Sequence, residues 1–239
     1  MNDLLRTIAG PAALLLGLAI SALPATAPGY DNEQLRYNIN WPSGLSLGEA
    51  QLRASFSKPN GDTPGRRHLE FDIDAAIPGF VVSDRYRSED SSDFCSAEFQ
   101  RNASHGRKKT DEKTTFDQQE GTASRETTGG GKTDLKTPQC AKDALAYLYF
   151  VRRELSQGRI PPRQTIYFGA AYEIQVEFAG TQTIRLGDKP VEADKLTASV
   201  KGSASDIKFE VFFLKDAGRT PALVRVPLSL GTFSMELVR

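Results

Sequence analysis

Residues 138–161 read PQCAKDALAYLYFVRRELSQGRIP, and this stretch decides the fold because it is the one segment long and apolar enough to form a buried helix. Asp143 stands where its carboxylate can meet the free amides of a first turn, and Arg152 and Arg153 stand near the negative end of the helix dipole. Gly158 can take the left-handed conformation after the last turn, and Pro161 and Pro162 forbid continuation. These signals predict one helix near 141–157. Leu145, Leu148, Tyr149, Arg152 and Leu155 follow helical spacing, while Ala144, Ala146, Tyr147, Phe150 and Val151 make the opposite side apolar too. Such a helix needs cover on most of its circumference. Its apolar run, Ala144 to Val151, is far short of the roughly 20 residues that cross a bilayer.

Nearly everything around the helix alternates with period two. Tyr37, Ile39 and Trp41 alternate with polar neighbours, as do Leu52, Ala54 and Phe56, and Leu69, Phe71, Ile73 and Ala75. Downstream, Tyr172, Ile174, Val176 and Phe178 form one apolar face, followed by Leu196, Ala198 and Val200 and by Ile207, Phe209, Val211 and Phe213. Turn residues separate the runs at Pro59–Asp62, Ala179-Gly180, Gly187-Asp188 and Asp216–Gly218. Short polar turns between strands mean antiparallel neighbours. The expected fold class is therefore mainly β: a large curved antiparallel sheet or partly open barrel, a meander of about ten to twelve strands, packed on one long α-helix. The polar stretch Asn102–Lys136 is expected to give two solvated strands, near 105–116 and 121–128, that bury little, and a loop at Gly129–Gly131. Arg107–Lys109 reads as part of a solvated strand because acids follow it closely.

Met1–Ala27 has the layout of a secretory signal peptide, with Arg6 ahead of an apolar run from Ile8 to Leu23 and small residues at Ala25-Thr26-Ala27. Residues 28–239 are then expected to form a single exported, soluble, periplasmic β domain with no transmembrane span once the signal is removed. Cys95 and Cys140 would reach an oxidising compartment and are expected to pair. The loop they close is long enough for the cross-link to remove about 4 kcal/mol of unfolded-state entropy. Lys plus Arg and Asp plus Glu both total 30, so no net field draws the protein to nucleic acid.

No catalytic, cofactor-binding or metal-binding motif stands out. His68 alternates onto a polar face and His105 sits at a turn, both read as solvent-exposed, and there is no Gly-x-Ser-x-Gly elbow. Asp72 and Asp74 share a strand face roughly 7 Å apart, a spacing that glycosidases use but that wet sheet faces also carry. Asp84, Glu89, Asp90 and Asp93 lack calcium-loop spacing, and Gly129–Thr133 lacks the leading half of a phosphate loop.

Several short motifs point one way. Tyr37 and Trp41 come early, Gly48 opens a strand, and Ser83-x-x-Tyr86 precedes the corner Asp93-Phe94-Cys95. Asp143 then leads into Tyr149-Phe150-Val151-Arg152, and Gly231-Thr232-Phe233 opens the last strand. In these residues the chain from Tyr30 to Arg239 resembles the exported bacterial family catalogued as domain of unknown function 3108. The resemblance implies a periplasmic or surface protein with a curved antiparallel sheet and carries no catalytic residues with it. Two functions fit a strand-rich chain with surplus apolar surface. One is the binding or carriage of an apolar ligand or lipid in the cell envelope, with Leu145, Leu148, Tyr149, Phe178, Phe209 and Phe213 as candidate lining. The other is a structural or assembly role through contacts with an envelope protein. An enzyme ranks behind both.

Overall fold

The structure, a computed structural model, describes residues 30–61, 64–77, 79–203, 206–229 and 231–238. The expected signal peptide, Met1–Ala27, and Asp62 of the expected Pro59–Asp62 turn lie outside the described residues. Helix α1 (Ala144–Ser156) forms where its caps require. Asp143 is the N-cap: Oδ1 accepts from the amides of Leu145 and Ala146 at 2.8 and 3.1 Å, and Oδ2 accepts from the hydroxyls of Ser88 and Ser96, each at 2.6 Å. At the other end the Gly158 amide donates to Leu155 and the Arg159 amide to Glu154, with Gly158 at φ +71°. This is the Schellman arrangement, and it closes the last turn.

The first meander comprises β1 (Glu33–Asn40), β2 (Ser46–Ser57), β3 (Arg66–Ile77), β4 (Phe80–Asp90), β5 (Ser96–His105), β6 (Lys108–Asp117), β7 (Thr122–Thr127) and β8 (Lys132–Lys136). Two residues, β9 (Lys142–Asp143), then precede the helix, and β10 (Gln164–Tyr167) follows it. The second meander continues through β11 (Ala171–Leu186), β12 (Lys189–Lys201), β13 (Asp206–Leu214), β14 (Pro221–Leu228) and β15 (Gly231–Leu237). All belong to one 15-stranded sheet in which β1 pairs with β15, so that the two meanders run outward from a central joint to edges at β8 and β9. Every pair is antiparallel except β9 with β10.

The sheet thus has more strands than the about ten to twelve that periodicity suggests. The extra ones have no apolar alternation of their own: β8 is a polar edge, β9 is two residues long, and β10 is a short run after prolines that pairs with its neighbours. A second correction concerns Ala179-Gly180, which is no turn. β11 runs straight through it, with both residues opposite the single Lys195 in a bulge. A third concerns the polar stretch, which buries more than its composition promises. Ala103, Glu112, Thr114, Phe116 and Ala123 all face inward, the Glu112 carboxylate being paired with Arg101 and Arg125.

The sheet curls until its far edges meet. Cys95 and Cys140 are joined in a disulfide, the Ser96 amide donates to Ala141, and the Gln118 side chain bridges Ser96 and Ala141. Tyr167, beside the β9 edge, packs edge-on against Phe116 and donates its hydroxyl to Lys136 on β8. Gly48 shows how tightly neighbouring strands approach: a Cβ there would lie 2.0 Å from the Asp74 carbonyl oxygen.

α1 is held inside this wall by Arg152, which is fully buried. Its guanidinium donates to both Glu33 carboxylate oxygens at 2.6 Å and to the Gly218 carbonyl at 2.9 Å. The rings of Tyr30 and Tyr149 lie 4.4 and 4.7 Å from it, and the Tyr149 hydroxyl completes the set by donating to Glu33 at 2.8 Å. Arg152→Met leaves the half-buried Glu33 carboxylate without its partner and is expected to cost about 2–4 kcal/mol in urea denaturation. Glu33→Gln combined with Arg152→Met should cost less than Arg152→Met alone, because no unpaired charge remains.

Candidate functional site

The caps and the Arg152 anchor hold α1 toward the end of the sheet where Glu33, Ser88, Ser96 and Gly218 lie, and leave a cavity of about 560 Å³ on the helix's other side. Ala144, Leu145, Tyr147, Leu148 and Val151 form its helical wall. Facing them are Ile174 and Val176 of β11, Leu196, Ala198 and Val200 of β12, and Ile207, Phe209, Val211 and Phe213 of β13. Phe71 and Ile73 of β3, Tyr37 of β1 and Met235 of β15 close it on the side of the first meander. It is partly open, and Val200 and Ile207, which flank the β12–β13 turn, bring it to the sheet's end opposite the anchor.

No lining residue carries a formal charge. Burial raises the phenols of Tyr37, Tyr86 and Tyr147 above their usual range, so these wall residues stay neutral at physiological pH. The Tyr37 hydroxyl is spent on the Pro221 carbonyl at 2.9 Å and that of Tyr86 on Asp84 at 2.9 Å. The Tyr147 hydroxyl is buried with no partner among the described residues, and the rest of the chamber offers dispersion and desolvation rather than acid–base groups. Its size lies within the roughly 300–1,000 Å³ typical of small-molecule sites.

Of the candidate lining residues, the structure brings Leu145, Leu148, Phe209 and Phe213 to this cavity and excludes two. Tyr149 points to the opposite side of α1, where its hydroxyl is bound to Glu33 and its ring packs on Tyr30 at 5.0 Å. Phe178 immediately precedes the β11 bulge and is left 53 % exposed. The β12 residues Leu196 and Ala198 complete the wall and were signalled only by alternation.

The titratable residues singled out from sequence are dispersed and paired. Asp72 and Asp74 lie on the outer face in a lattice with Arg53, Arg85 and Arg87, at 2.6–2.8 Å, which neutralises the pair as an acid–base couple. His105 is not a free turn residue: its Nε2 is 2.9 Å from the buried Asp84 carboxylate. His68 lies 2.8 Å from the Ser57 hydroxyl through Nε2 and 3.4 Å from Glu89 through Nδ1, the hydrogen-bonding order of a nucleophilic triad. These three stand on the adjacent strands β2, β3 and β4 of the outer face. Asp84, Glu89, Asp90 and Asp93 do not converge, and among the described residues no cluster could hold a metal ion.

The sharpest electrostatic feature is structural. Asp90, fully buried, accepts from Arg67 at 3.0 and 3.2 Å, and that guanidinium lies 4.0 Å over the Phe94 ring. Burial pushes Asp90 up to about 7; the nearby Asp143 carboxylate adds to the rise and Arg67 opposes it.

Fold and cavity define a barrel-like β protein with a partly open apolar chamber beside its helix. The chain belongs to the family described as Protein of unknown function (DUF3108), which it matches over residues 36–238. It is also similar to the crystal structure of a beta-barrel-like protein of domain of unknown function DUF1849 from Brucella abortus. That likeness has 11 % identity, covers 86 % of this chain and 95 % of the other, and has a TM-score of 0.60. At this identity it shows the fold alone. A comparison with curated proteins finds no match.

The raised Asp90 has a signed consequence. Between the usual carboxylate range near pH 4 and about pH 7, the folded protein keeps a proton on Asp90 that the unfolded chain has lost. Its contribution to stability is present below about pH 4 and is lost as the pH rises through about 7. Urea midpoints measured across that range should show this falling component in the native protein, and Asp90→Asn should flatten it.

Proposed function

We propose that the protein is an exported, non-catalytic carrier that holds an uncharged apolar molecule, or the acyl part of a lipid, in the chamber between α1 and the second meander. The observation that carries this reading is the chamber itself. A helix with two apolar sides, enclosed by a curled sheet, could have filled the interior, yet about 560 Å³ stays unfilled and is walled by apolar and aromatic side chains. A partly open pocket of this size, lined almost wholly by apolar atoms, suits a small apolar occupant. The disulfide between Cys95 and Cys140 supports delivery to an oxidising compartment such as the periplasm. Among the described residues no helix is long and apolar enough to cross a membrane.

Purified protein should bind an apolar fluorescent dye such as N-phenylnaphthylamine, and native mass spectrometry should detect a copurifying apolar molecule. Ala198 lines the chamber, so Ala198→Phe adds a ring to the space and is expected to weaken dye binding by about tenfold or more, a loss of about 1.4 kcal/mol. Dye binding that is absent in the native protein, or unchanged in Ala198→Phe, would remove the carrier reading.

A further inference from the structure

Three of the turns at the end of the sheet to which Val200 and Ile207 bring the cavity carry exposed apolar residues. Leu228 before the β14–β15 turn, Leu45 between β1 and β2, and Phe80 and Val81 after the β3–β4 turn are 51, 67, 42 and 58 % exposed. They follow one another along the strand order β4-β3-β2-β1-β15-β14. Gly231 abuts Pro42, Trp41 packs edge-on against Phe233 at 4.9 Å, and the Gly106 amide of the β5–β6 turn donates to Val81 at 2.8 Å. The arc ends on Arg107 of the β5–β6 turn and on Lys108 and Lys109 at the start of β6, all exposed. Of the acids that follow in sequence, Asp111 stands two residues down β6 in register with Asn102, and Glu112 is buried against Arg101 and Arg125. Among the described residues, no carboxylate stands in the β14–β15, β1–β2, β3–β4 or β5–β6 turns.

We infer that this rim is a docking surface for an anionic lipid bilayer. Exposed leucine and phenylalanine tips beside a tryptophan and flanked by lysine and arginine are what an interface with headgroups above and acyl chains below selects. The arc borders the cavity's open end: Ile73 and Met235 line the chamber from β3 and β15, the strands that run up to the rim. A bilayer seated there lets an apolar occupant pass between chamber and membrane without crossing water. The inference rests on the carrier reading for that purpose, while the contact itself is measured separately.

Trp41 makes the test local, because it is the only tryptophan in the chain and stands on the rim. Its emission should shift to the blue, and be quenched by acyl-brominated lipid, on addition of vesicles containing phosphatidylglycerol, with a weaker response to phosphatidylcholine alone. Phe80→Asp with Leu228→Asp should abolish the response. These residues are exposed, so the thermal midpoint and dye binding of the double variant should match the native protein and certify its fold. Replacing Arg107, Lys108 and Lys109 by Gln should weaken binding to anionic vesicles on the order of a hundredfold and leave the phosphatidylcholine response unchanged. Trp41 emission indifferent to both vesicles in a protein that still binds the dye overturns the docking surface. So does quenching that persists in the Phe80→Asp, Leu228→Asp variant. Loss of dye binding alone, with Trp41 still quenched, would instead strike the carrier reading.

Discussion

The buried contact between Arg152 and Glu33 is the constraint on which the interior depends. A guanidinium without solvent is tolerable only where its donors are all met, and here a bidentate carboxylate, a backbone carbonyl and two tyrosine rings meet them. The partners come from three parts of the chain: Tyr30 and Glu33 from just before and at the start of β1, Tyr149 from α1 itself, and Gly218 from the β13–β14 turn. The pair therefore fixes how far the helix enters the sheet. Because that position is set by polar geometry rather than by apolar collapse, α1 can stop short of filling the space beyond it.

The other end of α1 is fixed by equally specific bonds. Asp143 accepts four hydrogen bonds, two from its own helix and two from serines on β4 and β5, and the disulfide three residues earlier holds the same corner. A helix pinned at both ends resists the inward shift that would close the chamber, a shift that its apolar wall would otherwise favour. The cavity is in this sense maintained by residues that do not line it.

Much of this was legible from local chemistry. The helix bounds follow from Asp143 and Gly158, the cysteine pairing from a count of two and an expected export signal, and the inner faces of β11, β12 and β13 from alternation. What escaped the sequence depends on partners remote along the chain. Arg152 reads as a residue that complements the helix dipole, since nothing local reveals that Glu33 waits for it. Tyr149 has the spacing of a wall residue but is claimed by the same carboxylate. Phe178 fits the alternation until the bulge at Ala179-Gly180, whose small residues suit a turn and a bulge alike. β8, β9 and β10 become strands by pairing, and no propensity of their own announces them.

The order of strands carries a further consequence. Within each meander nearly every pairing joins neighbours in sequence, and such contacts form quickly because little loop entropy is lost. The central joint is the exception, for it sets Tyr37 against Leu237 and Ile39 against Met235, almost the whole chain apart. Two half-sheets can thus assemble early, each with an unpaired inner edge, while the step that unites them must wait for the last strand. The middle of the finished sheet is the last place to be made.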